Sequence, residues 1–321
     1  MKLIIQIPCY NEAGTLAIAL ACLPREVPGF DKVEWLIIDD GSEDDTVKVA
    51  RENGVDHIVQ HNRNQGLARG FMTGLDACLR LGADVIVNTD ADNQYHAGDI
   101  PALVVPILER RADIVVGARP IESIEHFSPV KKLLQKFGSW VVRVASNTSV
   151  PDAPSGFRAM SRQAAQQLMV FNDYTYTLET IIQAGQKNMA IVSVPVRVNG
   201  DLRPSRLVKS IASYVKRSIV TIVRIFIIYR PFRFFGAIGA VLFGAGVLIG
   251  LRFLVFYFQD EGDGYIQSLI LAALLMGMGF QAFLAAFIAD LLAANRKLLE
   301  NVRFQLAQIK EAQKQGGGPN E

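Results

Sequence analysis

Two long apolar stretches near the C-terminus constrain the fold of this chain more than any other feature. They cover residues 233–258 and 265–294, and each is long enough to cross a hydrocarbon core about 30 Å thick. A short acidic segment separates them, and basic residues flank the outer ends of the pair: Arg230, Arg233, Arg296 and Lys297. Because Lys and Arg concentrate on the cytoplasmic side of membrane helices, we predict a transmembrane hairpin over 232–295 with both chain termini inside the cell.

The segments on either side of this hairpin carry an excess of basic residues. In residues 205–231, Lys and Arg interrupt apolar residues at roughly helical spacing, which predicts an amphipathic interfacial helix on an anionic membrane. The solvated face of an ordinary surface helix is the alternative interpretation. Residues 296–321 mix apolar and charged residues before a Gly-rich end, which predicts a cytoplasmic helix followed by a disordered tail.

Charge and cysteine usage indicate where the rest of the chain resides. The net charge of +2 in 321 residues is too small to indicate nucleic-acid binding. The three cysteines show no metal-ligand spacing, and Met1 leads directly into a strand-like run without a secretory signal. We therefore expect residues 1–204 to form a cytoplasmic domain of an integral membrane protein, with a prokaryotic plasma membrane as the expected location.

Strand-like and helical patterns alternate through the first domain. The predicted strands cover 3–7, 34–39, 57–60 and 84–89, and the predicted helices cover 14–23, 45–53 and 67–81. This order predicts an α/β fold built on a doubly wound, mostly parallel, Rossmann-like sheet. Such sheets bind ligands outside the carboxyl ends of their strands, and polar clusters follow the four strands: PCYNE at 8–12, DDGS at 39–42, NRNQG at 62–66 and DADNQ at 90–94.

The last of these clusters carries two carboxylates one residue apart. Asp90 and Asp92 follow a buried strand and can face one hard cation, with Gln94 as a further oxygen ligand. Mg²⁺ or Mn²⁺ is bound in this way, by one or two carboxylates together with the phosphates of a substrate. An Asx-rich turn would show the same residues, but their position at the end of an apolar strand favours a metal site.

A second acidic pair, Asp39 and Asp40, ends the preceding predicted strand. A carboxylate there can accept hydrogen bonds from a base or a ribose hydroxyl, and Ser42 or Asp44 can cap the helix that follows. The spacing of four between Gly66, Gly70 and Gly74 indicates close helix packing, with ligand contact as the alternative for Gly66.

Seven short motifs occur in order across residues 1–206. They are PCYNE (8–12), DDGS (39–42), NQG (64–66), DADNQ (90–94), GAR (117–119), SGFR (155–158) and RPSR (203–206). Together they resemble the motif set of family-two GT-A glycosyltransferases, and more narrowly the polyprenyl-phosphate glycosyltransferases of the dolichol-phosphate mannosyltransferase type. Each motif is weak alone, whereas the ordered set is specific.

The resemblance implies an inverting, metal-dependent enzyme that transfers a hexose from a UDP- or GDP-linked sugar to a polyisoprenyl phosphate, undecaprenyl or dolichyl. It implies nucleotide contacts from Pro8, Tyr10, Asn11, Glu12, Asp39, Asp40, Gln65, Gly66, Asp90 and Ala91. It assigns the metal, Mg²⁺ or Mn²⁺, to Asp90, Asp92 and Gln94, and the catalytic roles to Asp92, Arg119, Arg158 and Arg203. The acceptor phosphate would be held by Arg119, Lys132, Ser155, Arg158, Arg203 and Arg206.

Two departures from the family pattern limit these assignments. Where related enzymes often carry an Arg and a Ser for the acceptor phosphate, this chain has Lys131 and Lys132, and Lys cannot make the bidentate contact of Arg. After Gln94 the sequence continues Tyr-His-Ala-Gly where the mannosyltransferases more often have His-Pro-Pro, so mannose from GDP is not implied.

Two other functions are compatible with parts of the sequence. A processive polysaccharide synthase would share the nucleotide and metal motifs, but the Gln-x-x-Arg-Trp motif is missing and two spans cannot enclose a pore. A non-catalytic nucleotide-binding membrane scaffold would not need the full set of carboxylates and arginines. Two-helix subunits of the family can assemble, so we expect a homo-oligomer, with a tetramer as one arrangement.

Overall fold

A computed structural model describes residues 1–120, 139–140, 142–143, 146–170, 176–200, 220, 223–224, 227–259 and 265–316. These residues belong to two compact units, Met1–Ser218 and Ile219–Glu321. The boundary falls within the predicted amphipathic segment 205–231, most of which lies outside the described residues. The predicted disordered end of the tail, 317–321, also lies outside them.

The first unit is built on a sheet that has seven strands within the described residues. The strands are β1 (Lys2–Cys9), β2 (Lys32–Asp39), β3 (His57–Gln60), β4 (Val85–Asn88), β5 (Ile114–Ala118), β6 (Arg158–Ser161) and β7 (Ile191–Pro195). Their order is β3-β2-β1-β4-β6-β5-β7. Strand β6 runs antiparallel to β4 and β5, and the other pairs are parallel. The sheet is mostly parallel, as predicted.

Six helices pack with this sheet in the described part of the first unit. They are α1 (Ala13–Cys22), α2 (Thr46–Glu52), α3 (Leu67–Arg80), α4 (Ile100–Leu108), α5 (Arg162–Gln167) and α6 (Thr177–Gln186). Strands covered on both faces read as continuous apolar runs, and all four residues of β4 are buried. The elements predicted from the sequence match the observed ones to within two residues at each end.

The topology places the polar clusters at one edge of the sheet. From β1 the chain moves outward to β2 and β3, then crosses back to pair β4 on the other side of β1. This reversal is the switch point at which doubly wound sheets open a ligand crevice. The loops that follow β1 and β4 therefore adjoin, which brings the predicted nucleotide and metal clusters to one place.

Close packing between α3 and the sheet depends on a glycine. A Cβ at Gly74 would lie 2.5 Å from Oε1 of Gln6 and 2.7 Å from Cδ1 of Ile38. Any larger residue would displace both side chains, in agreement with the predicted packing role of this glycine.

The second unit contains two long helices, α7 (Pro231–Tyr257) and α8 (Ile266–Gly316). Both are long and apolar enough to cross a membrane, and only 11% and 17% of their most apolar windows are buried inside the chain. The helices pack through small residues, since a Cβ at Gly246 would lie 2.9 Å from the Ala272 carbonyl oxygen. Close approach through glycines is typical of helix pairs in membranes.

The predicted cytoplasmic helix is not a separate element. Helix α8 continues without a break from the second apolar stretch to Gly316. The sequence from 280 to 315 contains neither Gly nor Pro, so no residue ends the helix where the apolar stretch stops.

Candidate active site

The carboxyl end of β4 carries the central acidic cluster. Asp90 and Asp92 flank the buried Ala91, and the Asp92 side chain accepts a hydrogen bond from the Gln94 amide at 3.1 Å. Asn93 adopts a left-handed conformation, with φ at +57°, which turns the chain sharply after the second carboxylate. The turn therefore holds both aspartates and Gln94 within one short loop at the switch point.

Asn199 and Val198, which lie about 100 residues later in the chain, hold this turn in place. Asn199 donates hydrogen bonds from its side chain to the Asn93 carbonyl at 2.9 Å and from its amide to the Gln94 carbonyl at 2.9 Å. A short antiparallel bridge between Tyr95 and Val198 continues the contact. These contacts could not be predicted from the sequence, because Asn199 lies more than 100 residues away in the chain.

The electrostatics of Asp90 fit a divalent cation. Burial, and after it the negative charge of Asp92, raise the pKa of this carboxyl, Arg119 opposes them, and the net pKa is about 7. Among the described residues no group of three acidic, His or Cys side chains can hold a metal alone. Two carboxylates plus the oxygens of a diphosphate are a usual environment for Mg²⁺, so these residues fit a metal shared with a substrate.

The loop after β1 is tied to the loop after β2. Asn11 donates its amide to the Ser42 hydroxyl at 2.9 Å and accepts from the Glu43 amide at 2.9 Å, and the Glu12 amide donates to the Thr46 hydroxyl at 2.8 Å. Asn11 has a positive φ of 54°. These contacts leave Tyr10 exposed at 39% on the open side, where a nucleoside can stack.

Gly41 explains why the DDGS motif needs its glycine. Its φ is +73°, and a Cβ there would lie 2.7 Å from the backbone of Arg63. The two loops that follow β2 and β3 approach each other too closely for any side chain.

Asp39 and Asp40 are both buried and both support loops. Asp40 accepts hydrogen bonds from the amides of Gln65 and Gly66, each at 2.8 Å, and from His61 Nδ1 at 2.8 Å. Asp39 accepts from the Ser42 amide at 3.3 Å. The carboxylates therefore shape the walls of the nucleoside region, and their predicted direct contact with the nucleoside stays a prediction.

Gly66 has a backbone role at the start of α3, and its predicted ligand contact stays a prediction. Its φ of +92° permits the turn into α3, and its amide is held by Asp40. Pro8, at the end of β1, packs against the same helix, since a Cβ at Gly70 would lie 3.8 Å from the Pro8 side chain.

Arg119 follows β5 and forms a buried bidentate ion pair with Asp152. The Arg119 Nε and Nη2 atoms lie 2.7 and 3.0 Å from the two carboxylate oxygens, and the side chains are only 7% and 1% exposed. The guanidinium also lies over the ring of Tyr95, 5.9 Å from its centroid. The pair fixes the position of Arg119 beside Asp90, and Nη1 is the part of the fork that the pair does not use.

Arg158 and Ser155 lie deeper than the sequence predicted. Arg158 is fully buried and donates to the carbonyl oxygens of Ser155 and Ala153, each at 2.8 Å, and to the Thr180 hydroxyl. Ser155 is fully buried as well. Burial lowers the pKa of Arg158 to about 10, which still leaves it protonated near neutral pH. In this arrangement both residues hold the loop beside Asp90, and their predicted contact with a phosphate stays a prediction.

A buried network of polar side chains around Asn88 lies next to the acidic cluster and was not predicted from the sequence. Asn88 donates to the Gly156 carbonyl and to the Tyr176 hydroxyl at 2.9 Å each, and it accepts from Gln6 at 2.9 Å. The Tyr95 hydroxyl accepts from the Gly156 amide at 2.9 Å. A Cβ at Gly156 would lie 3.1 Å from the Asp90 carboxylate, so the network holds the Gly156 backbone close to the Asp90 side chain. Asn88 within an otherwise apolar strand was the one available signal.

Three predicted site residues, Lys132, Arg203 and Arg206, lie outside the described residues. The remaining ones lie in β1, β2 or β6, or in the loops that follow β1 to β5.

Comparison with known proteins identifies the family. The model of glycosyl transferase family 2 matches residues 4–169, just over half of the chain. A UDP-N-acetylglucosamine--dolichyl-phosphate N-acetylglucosaminyltransferase of Methanococcus voltae is 29% identical over 213 residues, which are 60% of this chain and 83% of that protein. An undecaprenyl-phosphate mannosyltransferase of Micrococcus luteus is 26% identical over 207 residues, which are 61% and 83%.

A solved structure shares the fold. Glucosyl-3-phosphoglycerate synthase from Mycobacterium tuberculosis, in complex with Mn²⁺, UDP and phosphoglyceric acid, superposes with a TM-score of 0.54 at 21% identity. The match covers 69% of this chain and 78% of that one, and it confirms the predicted GT-A, Rossmann-like fold. The sheet, the ordered motifs and the family match agree, and the chain belongs to glycosyl transferase family 2.

Proposed function

We propose that this protein is an inverting, metal-dependent transferase that moves one hexose from a UDP- or GDP-linked sugar to a polyisoprenyl phosphate. The observation that carries the proposal is the pair of helices α7 and α8, whose apolar side chains face outward directly after a family-two transferase unit. A transferase with a water-soluble acceptor has no need of such helices. Relatives named for dolichyl-phosphate and undecaprenyl-phosphate transfer support the same acceptor class.

The donor side of the reaction uses the loops at the switch point. Asp90 and Asp92, with Gln94, would hold a divalent cation against the diphosphate, and the cation would neutralise the charge that develops on the leaving nucleotide. The loops at 10–12 and 61–66 would enclose the nucleoside. Because Asp40 fixes the second loop through two backbone amides, the nucleoside region is formed before substrate binds.

The acceptor side needs little proton chemistry. A lipid phosphate is already ionised near neutral pH, so its oxygen can attack the anomeric carbon of the sugar without a general base. The remaining requirement is to bring two polyanions together, and Arg119 is held beside the acidic cluster for that purpose by its pair with Asp152. A single attack from the face opposite the leaving group inverts the anomeric configuration.

The membrane arrangement follows from the basic residues around α7 and α8. Arg230 and Arg233 precede the first helix, and Arg296 and Lys297 follow the apolar part of the second. We propose that the two helices form a transmembrane hairpin with the transferase unit and both termini in the cytoplasm. The catalytic crevice would then share a compartment with the nucleotide sugar and lie near the lipid phosphate.

The proposal is tested by a transfer assay with the full-length protein in detergent. UDP-glucose, UDP-galactose, UDP-N-acetylglucosamine and GDP-mannose are each paired with undecaprenyl and dolichyl phosphate, with Mn²⁺, Mg²⁺ or EDTA. We expect a glycolipid that requires the cation and is lost in Asp92→Ala, whereas Asp76→Ala, an exposed aspartate on α3, retains activity.

The assay also separates the other functions that the sequence allows. A polymeric product would indicate a polysaccharide synthase. Nucleotide binding without turnover with any donor and acceptor would favour the scaffold and contradict the proposal.

A further inference from the structure

Asn199 uses all of its hydrogen-bond donors on the turn that follows β4. Its side-chain Nδ2 donates to the carbonyl oxygens of Asn93 at 2.9 Å and of Tyr95 at 3.3 Å, and its backbone amide donates to the Gln94 carbonyl at 2.9 Å. One residue therefore holds three consecutive carbonyls of the acidic turn. The proposed transfer needs no chemical group from Asn199, so its role lies in shaping this turn.

The turn has the ligand spacing of a calcium-binding loop. Asp90, Asp92 and Gln94 carry side-chain oxygens at every second residue, like the first, third and fifth positions of an EF-hand loop, which also takes a backbone carbonyl from its seventh position. The seventh position here is His96, and its carbonyl accepts a hydrogen bond from the Asp99 amide at 3.0 Å. The carbonyls of residues 93–96 thus all accept hydrogen bonds from within the chain.

The size of the cation gives these hydrogen bonds their significance. Ca²⁺ takes about six to eight oxygens at roughly 2.3–2.6 Å, backbone carbonyls among them, in a flexible geometry. Mg²⁺ keeps a near-octahedral shell at roughly 2.0–2.1 Å and uses one or two carboxylates together with water and substrate phosphates. A carbonyl that is fixed by a hydrogen bond cannot turn toward a cation without weakening that bond, so the turn favours the smaller cation.

We propose that Asn199 is a positioning residue that gives the metal site its preference for Mg²⁺ or Mn²⁺ over Ca²⁺. The inference rests on the metal dependence of the proposed function and adds the residue that selects the cation. Asn199 acts through the backbone of residues 93–95 rather than as a ligand of the metal. Groups that hold the ligands of a metal in this way commonly change its affinity when they are substituted.

The segment that carries Asn199 is also held by contacts that do not use its side chain. Val198 forms an antiparallel bridge with Tyr95, and the Arg197 carbonyl accepts a hydrogen bond from the His96 amide at 3.2 Å. These are backbone contacts, as is the bond that the amide of residue 199 donates. A substitution of the Asn199 side chain therefore releases two carbonyls and keeps the two segments paired.

The test measures the affinities of Mn²⁺ and Ca²⁺ without turnover. The full-length protein in detergent is unfolded thermally at a fixed concentration of UDP, and separately of GDP, while each cation is titrated, and the rise in Tm gives an apparent Kd. Cation binding to the free nucleotide is the same for every variant and cancels when a variant is compared with the wild type. We expect the wild type to bind Mn²⁺ more tightly than Ca²⁺.

Two substitutions of Asn199 and one control carry the test. We expect Asn199→Ala to weaken Mn²⁺ binding about tenfold without weakening Ca²⁺ binding, because the turn holds its ligands less firmly and its carbonyls become available. Asn199→Asp keeps the shape of the side chain and loses both hydrogens, and its added charge attracts both divalent cations alike, so the preference for Mn²⁺ should fall as well. Asn53→Ala removes an exposed amide that donates to the Val49 carbonyl at 2.8 Å, and it should leave the preference unchanged.

The outcomes separate this inference from the proposed function. An unchanged preference in both Asn199 variants, even with a lower Tm in EDTA, would overturn the inference and leave a structural contact, and it would not affect the proposed transfer. A wild type that prefers Ca²⁺ would also overturn the inference. A wild type that binds neither cation with either nucleotide would overturn the metal dependence of the proposed function together with the inference.

Discussion

The substitution Asp90→Asn measures how much stability the folded protein loses by burying an ionised carboxylate when no metal is bound. Burial and the charge of Asp92 raise the pKa of Asp90 to about 7 in the folded chain. In the unfolded chain the same carboxyl has a pKa of about 3.9. The folded state therefore binds more protons between these two values, and the stability of the metal-free protein falls as the pH rises through that range.

The size of the effect follows from the two pKa values. At about 1.36 kcal/mol per pKa unit, the ionised carboxylate costs about 4 kcal/mol of stability at pH 8 and about 1–2 kcal/mol at pH 5. Asparagine has nearly the same shape and no charge, so Asp90→Asn removes this cost. A domain of this size gains about 2–4 °C in Tm per kcal/mol, so we expect gains of roughly 8–16 °C at pH 8 and roughly 2–8 °C at pH 5.

The assay is thermal unfolding of the full-length protein in detergent with EDTA, followed through the fluorescence of Trp35, which is buried in β2. Asp76→Asn, an exposed control, is expected to leave the Tm unchanged at both pH values. Excess Mn²⁺ should raise the Tm of the wild type and have little effect on Asp90→Asn. An equal gain at both pH values, or a loss at pH 8 without metal, would refute the argument that burial of an ionised Asp90 is costly.

Three further substitutions test contacts around the site and in the hairpin. Asp152→Asn leaves Arg119 buried without its counter-charge and should cost about 3–5 kcal/mol in thermal unfolding, whereas Asp99→Asn, which breaks an exposed pair, should cost under about 1 kcal/mol. Tyr95→Phe leaves the buried Gly156 amide unpaired, so we expect a loss of about 1–3 kcal/mol together with slower transfer in the glycolipid assay. Gly246→Ala should lower the detergent-resistant thermal stability of the hairpin, and Gly277→Ala, where a Cβ meets nothing within 4 Å, should not.

Short-range patterns predicted the elements of the first 90 residues and the class of the fold. Strand and helix periodicity placed β1 to β4 and the helices between them, because each element buries one apolar pattern that repeats within a few residues. Strands β5 and β7 and helices α4, α5 and α6 were not predicted, and neither was the antiparallel strand β6. Its four residues, Arg158–Ser161, include a charged and a polar side chain, and its pairing with β4 bridges a long separation in sequence.

The acidic cluster was found from the sequence for a related reason. Asp90, Asp92 and Gln94 are consecutive or nearly so, and their position at a strand end is a local property. The residues that hold them are not local. Tyr176 and Asn199 lie about a hundred residues away and reach the cluster only through the sheet topology.

The arginines show a different limit. Their residue type indicates affinity for phosphate, but the sequence does not indicate how deep each one lies. Arg158 donates hydrogen bonds to backbone carbonyls of residues 153–155, and Arg119 pairs with Asp152. The charge of an arginine therefore does not show whether it supports the loops of the site or faces a substrate.

A competition between a lipid phosphate and a soluble acid identifies the acceptor of this transferase. The full-length protein is incubated with Mn²⁺, its preferred donor and equal concentrations of undecaprenyl phosphate and 3-phosphoglycerate, and the products are identified by mass and by the anomeric configuration of the sugar. We expect one hexose on the lipid phosphate with inverted configuration, and no detectable sugar on the soluble acid. Transfer to the soluble acceptor, or retention of configuration on the lipid, would contradict it.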